Sequence, residues 1–354
     1  MLKKIKVLDL STVLAGPSVA TYFAELGAEV TKIEHPENKD ITRKWKLPIE
    51  DKNINVSAYF SSVNYKKKYI NLNLKKSSDY TKFIELIKTA DILITNFKYG
   101  DDIKLNIEDK TLHKINPSLI IGKINGFGSD SDRVAYDLIL QAETGFMSIN
   151  GTLESGPIKM PVAMIDILAA HHLKEALLIS LLNRNETGKG SSVSVSLYDV
   201  AISSLTNQSS NYLMTKNIPN RIGSIHPNIA PYGELFTTKD GNIITLAIGS
   251  NQHFKKLCSI LNCEELCIDN RFQTNQNRVE NRIILKNILE KKIQNKNSLN
   301  LLSKLRNLKV PAGEIKNIEE VLTTPQAKKL IKEEIIEGVK TYRTTSVVFN
   351  SKET

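Results

Sequence analysis

One carboxylate interrupts an apolar segment near the middle of this chain. In the stretch PVAMIDILAA, residues 161–170, Asp166 has only apolar neighbours within three positions on either side. The pattern predicts an extended segment over PVAMI and a helix over 167–184 closed at Gly188, with Asp166 at their junction. An aspartate there is a preferred helix N-cap and contributes ~1 kcal/mol. In the same place, backbone donors could hold the carboxylate ionised, and an ionised carboxylate can act as a nucleophile.

The segments that must position Asp166 alternate between strand and helix patterns. Apolar runs bounded by turn residues predict strands, and apolar residues at helical spacing predict helices between them. Such alternation predicts an α/β fold with a mostly parallel, Rossmann-like sheet and helices on both faces. The predicted strands are 4–11, 29–35, 91–97, 118–128 and 191–200, and the predicted helices are 18–28 and 79–90.

Composition changes after about residue 215, where Pro, Gly and Asn surround short strand patterns. Lys-rich helical patterns follow at 252–262, 278–295 and 299–308, which indicates a smaller α+β domain. We therefore expect four parts, namely a large domain over 1–205, a linker over 206–222, the small domain over 223–325 and a C-terminal segment, 326–354, that returns to the large domain.

Charge and cysteine content exclude several functions. The net charge is +10, but the lysines are scattered over predicted helix faces, so we expect no nucleic-acid partner. Asp9 interrupts the apolar start, and no run approaches the length of a membrane span. Cys258, Cys263 and Cys267 lack metal-ligand spacing, so we expect no metal site and a reducing, cytoplasmic location. The loop TVLAGPS lacks the glycine pattern of a nucleotide site.

Several stretches together resemble one family in order and spacing. They include VLDLSTVLAGPSVATYFAELGAEVTKIEHPENKDITR, ADILITNFKYG, AYDLILQAETGFMSINGT, the Asp166 segment, HPNIAPYGELFTTKDG and VPAGEI. This set resembles the family III CoA-transferases, the group related to carnitine CoA-transferase and formyl-CoA transferase. The resemblance extends from residue 5 to about residue 350.

The resemblance implies a Rossmann-like large domain, a smaller second domain and a homodimer whose chains interlock like rings. It implies that Asp166 is the nucleophile that accepts the acyl group and then CoA from an acyl-CoA, before CoA passes to a small carboxylic acid. The CoA thioester is then a substrate, and no further cofactor is expected.

The resemblance also assigns binding positions by matching motif. We expect Tyr136, Asp137 and Gln141 on the substrate side. The positions expected to contact CoA are Leu14, Ala15, His35, Leu72, Asn73, Leu74, Lys75, Asn96, Phe97, Lys98 and Lys104. His35, Lys98 and Lys104 stand where relatives carry arginine, and lysine offers a point charge without a bidentate fork.

Two alternatives stay open at this point. The related α-methylacyl-CoA racemases carry a histidine base where this chain has Tyr136, so a racemase would lack its base. A non-catalytic CoA-binding relative would follow if the altered basic residues and the shortened C-terminal segment have dismantled the site.

Overall fold

The strand that begins the chain lies inside a parallel sheet in the computed structural model, which describes residues 1–350. The strands of that sheet are β1 (Lys6–Asp9), β2 (Glu29–Glu34), β3 (Lys67–Asn71), β4 (Ile92–Thr95), β5 (Ile120–Asn125) and, after a short hairpin of β6 (Gly151–Thr152) and β7 (Gly156–Pro157), β8 (Ser192–Ser196). The strand order is β3-β2-β1-β4-β5-β8, and every pairing is parallel. This order confirms the predicted α/β fold with a parallel sheet.

Both faces of this sheet are buried. Val7 packs into a core cluster on one face while its neighbour Leu8 packs into a cluster on the other. Ile92 and Leu93 of β4 divide in the same way. Because successive strand residues point to opposite faces, two buried faces require continuous apolar strands, which is what made these strands recognisable in the sequence.

Ten helices lie between residues 15 and 215. They are α1 (Ala15–Glu25), α2 (Ala58–Ser62), α3 (Ser77–Thr89), α4 (Asp101–Lys104), α5 (Asp109–Ile115), α6 (Asp137–Glu143), α7 (Phe146–Ile149), α8 (Met164–Thr187), α9 (Leu197–Ser203) and α10 (Asn207–Thr215), with a 3-10 turn at Ile41–Lys44. Helices α1 and α8 contribute to the cluster that contains Val7, and α3 and α5 to the cluster that contains Leu8.

Three predicted boundaries were wrong. Helix α1 begins at Ala15 rather than at residue 18. Pro17 is tolerated in its first turn, because proline lacks an N–H and the N–H groups of a first turn have no partner within the helix. Helix α8 begins at Met164, so the last residues of PVAMI are already helical. Strand β8 ends at Ser196, whose side chain accepts the N–H of Asp199 and begins α9.

The chain divides into two compact units, of which the second comprises residues 148–158 and 219–324. Its remaining elements are β9 (Tyr232–Thr237), β10 (Ile243–Ala247), α11 (Asn251–Leu261), α12 (Asn275–Glu280), α13 (Arg282–Ile293), α14 (Ser298–Asn307), β11 (Ala312–Glu314) and α15 (Ile318–Leu322), with a 3-10 turn at Glu264–Cys267. Residues 148–158 had been predicted in the large domain. They belong to the second unit, where the N–H of Gly223 donates to the carbonyl of Gly151 at 2.8 Å.

The C-terminal segment belongs to the first unit. It contains α16 (Pro325–Lys328) and the antiparallel hairpin of β12 (Ile331–Ile336) and β13 (Val339–Thr344). Arg343 pairs with Glu25 of α1, and both side chains are almost fully buried. Glu337 at the hairpin turn contacts the buried guanidinium of Arg43 at 3.2 Å. These buried ion pairs attach the segment to the parallel-sheet unit.

None of the helices in residues 1–350 combines the length and hydropathy needed to span a bilayer. Within the same residues, no three His, Cys, Asp or Glu side chains cluster in a way that could hold a metal ion.

Candidate functional site

The loops that follow β1 and β4 meet beside a cavity that contains Asp166. Strands β1 and β4 are neighbours in the sheet, and the chain adds β2 and β3 on one side of this pair and β5 and β8 on the other. Ligands of such sheets bind at this switch point, outside the carboxyl ends of the strands. The cavity, of about 180 Å³, is named here the Asp166 cavity. Its lining includes Asp166 and the predicted residues Leu14, Ala15, Asn96, Phe97, Lys98 and Tyr136, together with Thr12, Val13, Ile124, Asn125, Gly126, Ser131, Arg133, Val134, Ala135 and Leu197.

Asp166 lies in the first turn of α8 and is only 8% exposed. The N-cap of this helix is Ala163, which makes no side-chain cap, so the predicted N-cap role of Asp166 was wrong. The sequence did not reveal that the helix begins three residues earlier. Among residues 1–350, no donor forms a hydrogen bond to the Asp166 carboxylate, although we had expected backbone donors there.

The backbone donors at the start of α8 go instead to Asp137. Its Oδ1 accepts the N–H of Ile165 at 2.8 Å and that of Asp166 at 3.4 Å. Its Oδ2 accepts the Nε2 amide of Gln141 at 2.5 Å, and Gln141 in turn accepts the N–H of Met160 at 2.7 Å. Asp137 and Gln141, predicted on the substrate side, are buried outside the lining of the Asp166 cavity. They fix the start of the helix that carries Asp166.

This arrangement changes the proton affinity of Asp166. Burial, followed by the nearby charge of Asp137, raises the pKa of Asp166 to about 7. A buried carboxylate that accepts no hydrogen bond is poorly solvated, which makes it both more basic and more nucleophilic than an exposed aspartate. The backbone donors that we expected to keep Asp166 ionised go to Asp137 instead, and the raised pKa favours a larger protonated share of Asp166 than an exposed aspartate has.

Aromatic side chains that the sequence analysis did not single out lie close to Asp166. Burial, followed by the charges of Asp166 and Asp137, raises the pKa of Tyr59 to about 12, so its hydroxyl stays a proton donor at neutral pH. Trp45 packs edge-on against Tyr59 at 5.2 Å between ring centroids and lies 6.4 Å from Tyr136. Only the fold brings these three rings together, because they come from three separate loops and helices.

Two cations line the Asp166 cavity. Arg133 is exposed, lies 3.8 Å above the ring of Phe127 and donates to Glu143 at 2.8 and 3.1 Å. Lys98 is exposed, and its ammonium group forms no ion pair within residues 1–350. The cavity therefore offers one paired and one unpaired positive charge near a buried carboxyl group.

A second cavity brings together three of the other predicted CoA contacts. Leu74, Lys75 and Lys104 line a space of about 370 Å³ with Ser77, Tyr80, Thr81, Leu105 and Asn106, named here the Lys104 cavity. Lys104 is exposed and pairs with Asp101 at 2.8 Å. An open, lysine-lined space of this kind suits a phosphate-bearing ligand.

The remaining predicted CoA contacts line neither cavity. Leu72 is buried in the core beside β3. Asn73 holds a turn in which its side chain accepts the N–H of Lys75 at 3.1 Å. The Nδ1 of His35 accepts the N–H groups of Glu37 and Asn38, at 3.2 and 3.1 Å. These side chains shape the loops at the carboxyl edge of the sheet.

Known proteins resemble this chain over most of its length. The chain matches CoA-transferase family III over residues 2–354. It is 36% identical to the succinate–glutarate CoA-transferase of Agrobacterium fabrum over 332 residues, covering 92% of this chain and 82% of the relative. It is 33% identical to the human succinyl-CoA:glutarate CoA-transferase over 328 residues, covering 92% and 74% of the two chains.

A solved structure has the same fold. The crystal structure of a CaiB/BaiF family protein from Brucella suis superposes with a TM-score of 0.82 at 35% identity, covering 98% of this chain and 91% of that one. The family indicated by the sequence motifs is thereby confirmed. The chain belongs to CoA-transferase family III and is an enzyme of CoA transfer.

Proposed function

We propose that this enzyme moves CoA from an acyl-CoA to a free carboxylic acid through covalent intermediates on Asp166. The observation that carries the proposal is the environment of this carboxyl group, which is buried, accepts no hydrogen bond from residues 1–350 and opens to a cavity at the switch point of the sheet. A carboxylate used only for structure would have its oxygens bonded to donors, as those of Asp137 are.

The proposed reaction begins with the ionised form of Asp166. Its oxygen attacks the thioester carbonyl carbon, the C–S bond breaks, and a mixed anhydride and CoA thiolate form. The thiolate attacks the Asp166 carbonyl carbon, which releases the donor acid and leaves an aspartyl-CoA thioester. The acceptor carboxylate then attacks the aspartyl-CoA thioester, the C–S bond breaks, and a second mixed anhydride and CoA thiolate form. The thiolate attacks the acceptor's carbonyl carbon of this anhydride, which gives the acceptor's CoA thioester and frees the Asp166 carboxylate. Each step exchanges one acyl bond for another, so no oxidant or metal is required.

The walls of the Asp166 cavity support this chemistry. The anhydride and the thioester are both open to hydrolysis, and Phe97, Ile124 and Leu197 provide apolar surface that limits water. Tyr59 is outside the lining of this cavity, but the charge of Asp166 contributes to its raised pKa, and its protonated phenol is the candidate donor to a carbonyl oxygen on which negative charge develops. The lysines of the Lys104 cavity would hold the phosphates of CoA.

We propose dicarboxylic acids as the substrate class. Both relatives named above act on succinyl and glutaryl groups, according to their names. A dicarboxylic acyl group keeps one charged carboxylate after the thioester forms, and this charge needs a partner inside a partly apolar cavity. Lys98 and Arg133 line the Asp166 cavity and can supply that partner.

The two alternatives have less support. A racemase needs a second base, and no histidine lines the Asp166 cavity in the described part of the chain. A non-catalytic CoA-binding relative would have no use for an aspartate that burial makes unusually basic. The interlocked homodimer and the cytoplasmic location stay predictions, and molecular mass in solution tests the first of them.

The experiment that tests the proposal is covalent trapping. The protein is incubated with succinyl-CoA, glutaryl-CoA and a monocarboxylic acyl-CoA, treated with hydroxylamine or borohydride, and digested for mass spectrometry. We expect modification confined to the peptide that contains Asp166, and none in Asp166→Asn. Transfer that proceeds at the wild-type rate in Asp166→Asn would rule out the proposed nucleophile.

A further inference from the structure

The loop between β1 and α1 contains a backbone conformation that its sequence does not favour. Val13 has a φ of +72°, in the left-handed region that glycine tolerates and β-branched residues avoid. Val13 also lines the Asp166 cavity. Because strain of this kind persists only where the surroundings impose it, some other group must hold Val13 in place.

That group is the carboxylate of Asp40. Both of its oxygens lie 3.3 Å from the backbone N–H of Val13. Asp40 is 2% exposed, and its Oδ2 pairs at 3.2 Å with Lys32, whose side chain is fully buried. The Oδ1 also accepts the N–H and the hydroxyl of Thr42, at 3.1 and 2.7 Å. The carboxylate is thus fixed from two other sides before it meets Val13.

The residues before Val13 are also bonded to buried or loop side chains. The ammonium group of Lys32 donates to the carbonyl of Ser11 at 2.8 Å. The amide of Asn96 accepts the N–H of Thr12 at 3.0 Å and donates to its carbonyl at 2.9 Å. At Val13, in contrast, the hydrogen bond to Asp40 holds a left-handed backbone conformation that valine disfavours.

We infer that Asp40 is a positioning residue for the Asp166 site. By holding Val13 in the left-handed conformation, Asp40 sets the course of the loop that carries Leu14 and Ala15 into the wall of the Asp166 cavity. Asp40 is not among the residues that line that cavity, so it acts through Val13. The inference rests on the proposed function only in that CoA transfer is the activity measured to test it.

The alternative is that Asp40 serves only to neutralise Lys32 in the interior. The two roles separate if Val13 is replaced by glycine, because glycine adopts a φ of +72° without help. The experiment compares wild type, Asp40→Ala, Val13→Gly and the double variant, measuring kcat and KM for transfer together with the melting temperature. A double-mutant cycle then gives the coupling between the two positions.

We expect Asp40→Ala to lower kcat/KM by about 100-fold, since displacement of a site by about 1 Å has effects of that order. In the Val13→Gly background the same change should lower kcat/KM by less than about fivefold. The melting temperature should stay low in the double variant, because Lys32 still lacks Asp40. Recovery of activity without recovery of stability would thus identify positioning.

Two further variants serve as controls for the effects of Val13→Gly and Asp40→Ala. Lys309 also has a positive φ, of +56°, and does not line the Asp166 cavity, so Lys309→Gly relieves a similar strain in the second unit and should not rescue Asp40→Ala. Asp40→Asn keeps an acceptor for the N–H of Val13 but loses the charge beside Lys32, so it should lower the melting temperature while kcat/KM stays within about fivefold of wild type. If Asp40→Ala does not fold, this comparison carries the test, and a larger loss of kcat/KM in Asp40→Asn that Val13→Gly does not relieve would overturn the inference.

An equal loss of kcat/KM from Asp40→Ala in the wild-type and Val13→Gly backgrounds would overturn the inference, as would an unchanged kcat/KM in Asp40→Ala itself. If the wild-type protein transfers no CoA, the proposed function fails by itself. The Kd for CoA, measured by calorimetry on the same four proteins, then tests the inference, with the same pattern of loss and rescue expected.

Discussion

Asp137 is bonded to the helix turn that carries Asp166, because its Oδ1 accepts the backbone N–H of Asp166 at 3.4 Å and that of Ile165 at 2.8 Å. The contact gives Asp137 two effects on Asp166. It fixes the helix turn that carries Asp166, and its charge adds to burial in raising the pKa of Asp166 to about 7. The same side chain therefore helps to fix the position of Asp166 and adds to the effect of burial on its basicity.

The activity should follow the ionisation of Asp166. Only the carboxylate is a nucleophile, so kcat/KM should fall about tenfold per pH unit below about pH 7 and level off above it. Asp137→Asn keeps an oxygen for the N–H of Ile165 but removes the charge, so the midpoint should move to lower pH. The measurement is kcat/KM from about pH 5 to about pH 9.

Asp240 supplies a matched control for this profile. It accepts the N–H of Ser298 at the start of α14, at 3.0 and 3.2 Å, as Asp137 does at the start of α8. Asp240→Asn should leave the midpoint of the profile unchanged. A midpoint that stays in place in Asp137→Asn would show that Asp137 does not act on the pKa of Asp166.

Protein stability should report the same ionisation with a predictable sign. Asp166 loses its proton near pH 4 in the unfolded chain and near pH 7 in the folded one. The folded state therefore binds more protons between these values, and its free energy of unfolding should decrease as pH rises through this window, by up to ~4 kcal/mol. Asp166→Asn removes the effect, so its stability relative to wild type should be greater at about pH 8 than at about pH 4. Urea unfolding at both pH values provides the measurement, and equal differences would contradict the assignment.

The sequence predicted the sheet but not the environment of Asp166, and the reason is physical. Strands such as β4 are recognisable locally, because burial on both faces demands consecutive apolar residues. The pKa of Asp166 depends on Asp137, which is 29 residues away, and on a helix start that the apolar pattern did not mark. Tyr59 and Val13 reach the site only through tertiary structure, so their types alone gave no signal.

The Lys104 cavity should govern affinity for CoA rather than the chemical step. Lys75→Met and Lys104→Met should each raise KM for the acyl-CoA about five- to tenfold with little change in kcat, because each removes a point charge that would face phosphate. Lys76→Met is the control, since Lys76 is also exposed but does not line that cavity. The effects should shrink as ionic strength rises. A fall in kcat with unchanged KM would place CoA elsewhere.

Lys98 should decide between dicarboxylic and monocarboxylic acceptors. Its ammonium group lines the Asp166 cavity without an ion pair in residues 1–350, so Lys98→Met should reduce kcat/KM for glutarate by about 10-fold or more and that for butyrate by much less. The comparison uses one donor at saturation. Equal losses for both acceptors would assign Lys98 to CoA, the role that the resemblance implied.

The C-terminal hairpin should contribute stability through one buried ion pair. Glu25 accepts from Ser346 and Val347 at 3.0 and 2.9 Å and pairs with Arg343, so Glu25→Ala leaves a buried guanidinium without its partner. We expect a loss of about 3–5 kcal/mol in the free energy of unfolding. Glu29→Ala, four residues on, breaks a pair with Lys68 in which both side chains are exposed, and should lose less than about 1 kcal/mol.

Chemical denaturation of the two variants measures this difference directly. Because the ion pair between Glu25 and Arg343 is at the end of α1 remote from Leu14, kcat at about 25 °C should stay within about twofold of wild type in the folded fraction of each variant. Similar losses in both variants would mean that the hairpin adds little to the stability of the parallel-sheet unit. The expected difference would instead show that the buried pair between Glu25 and Arg343 stabilises the unit that carries Asp166.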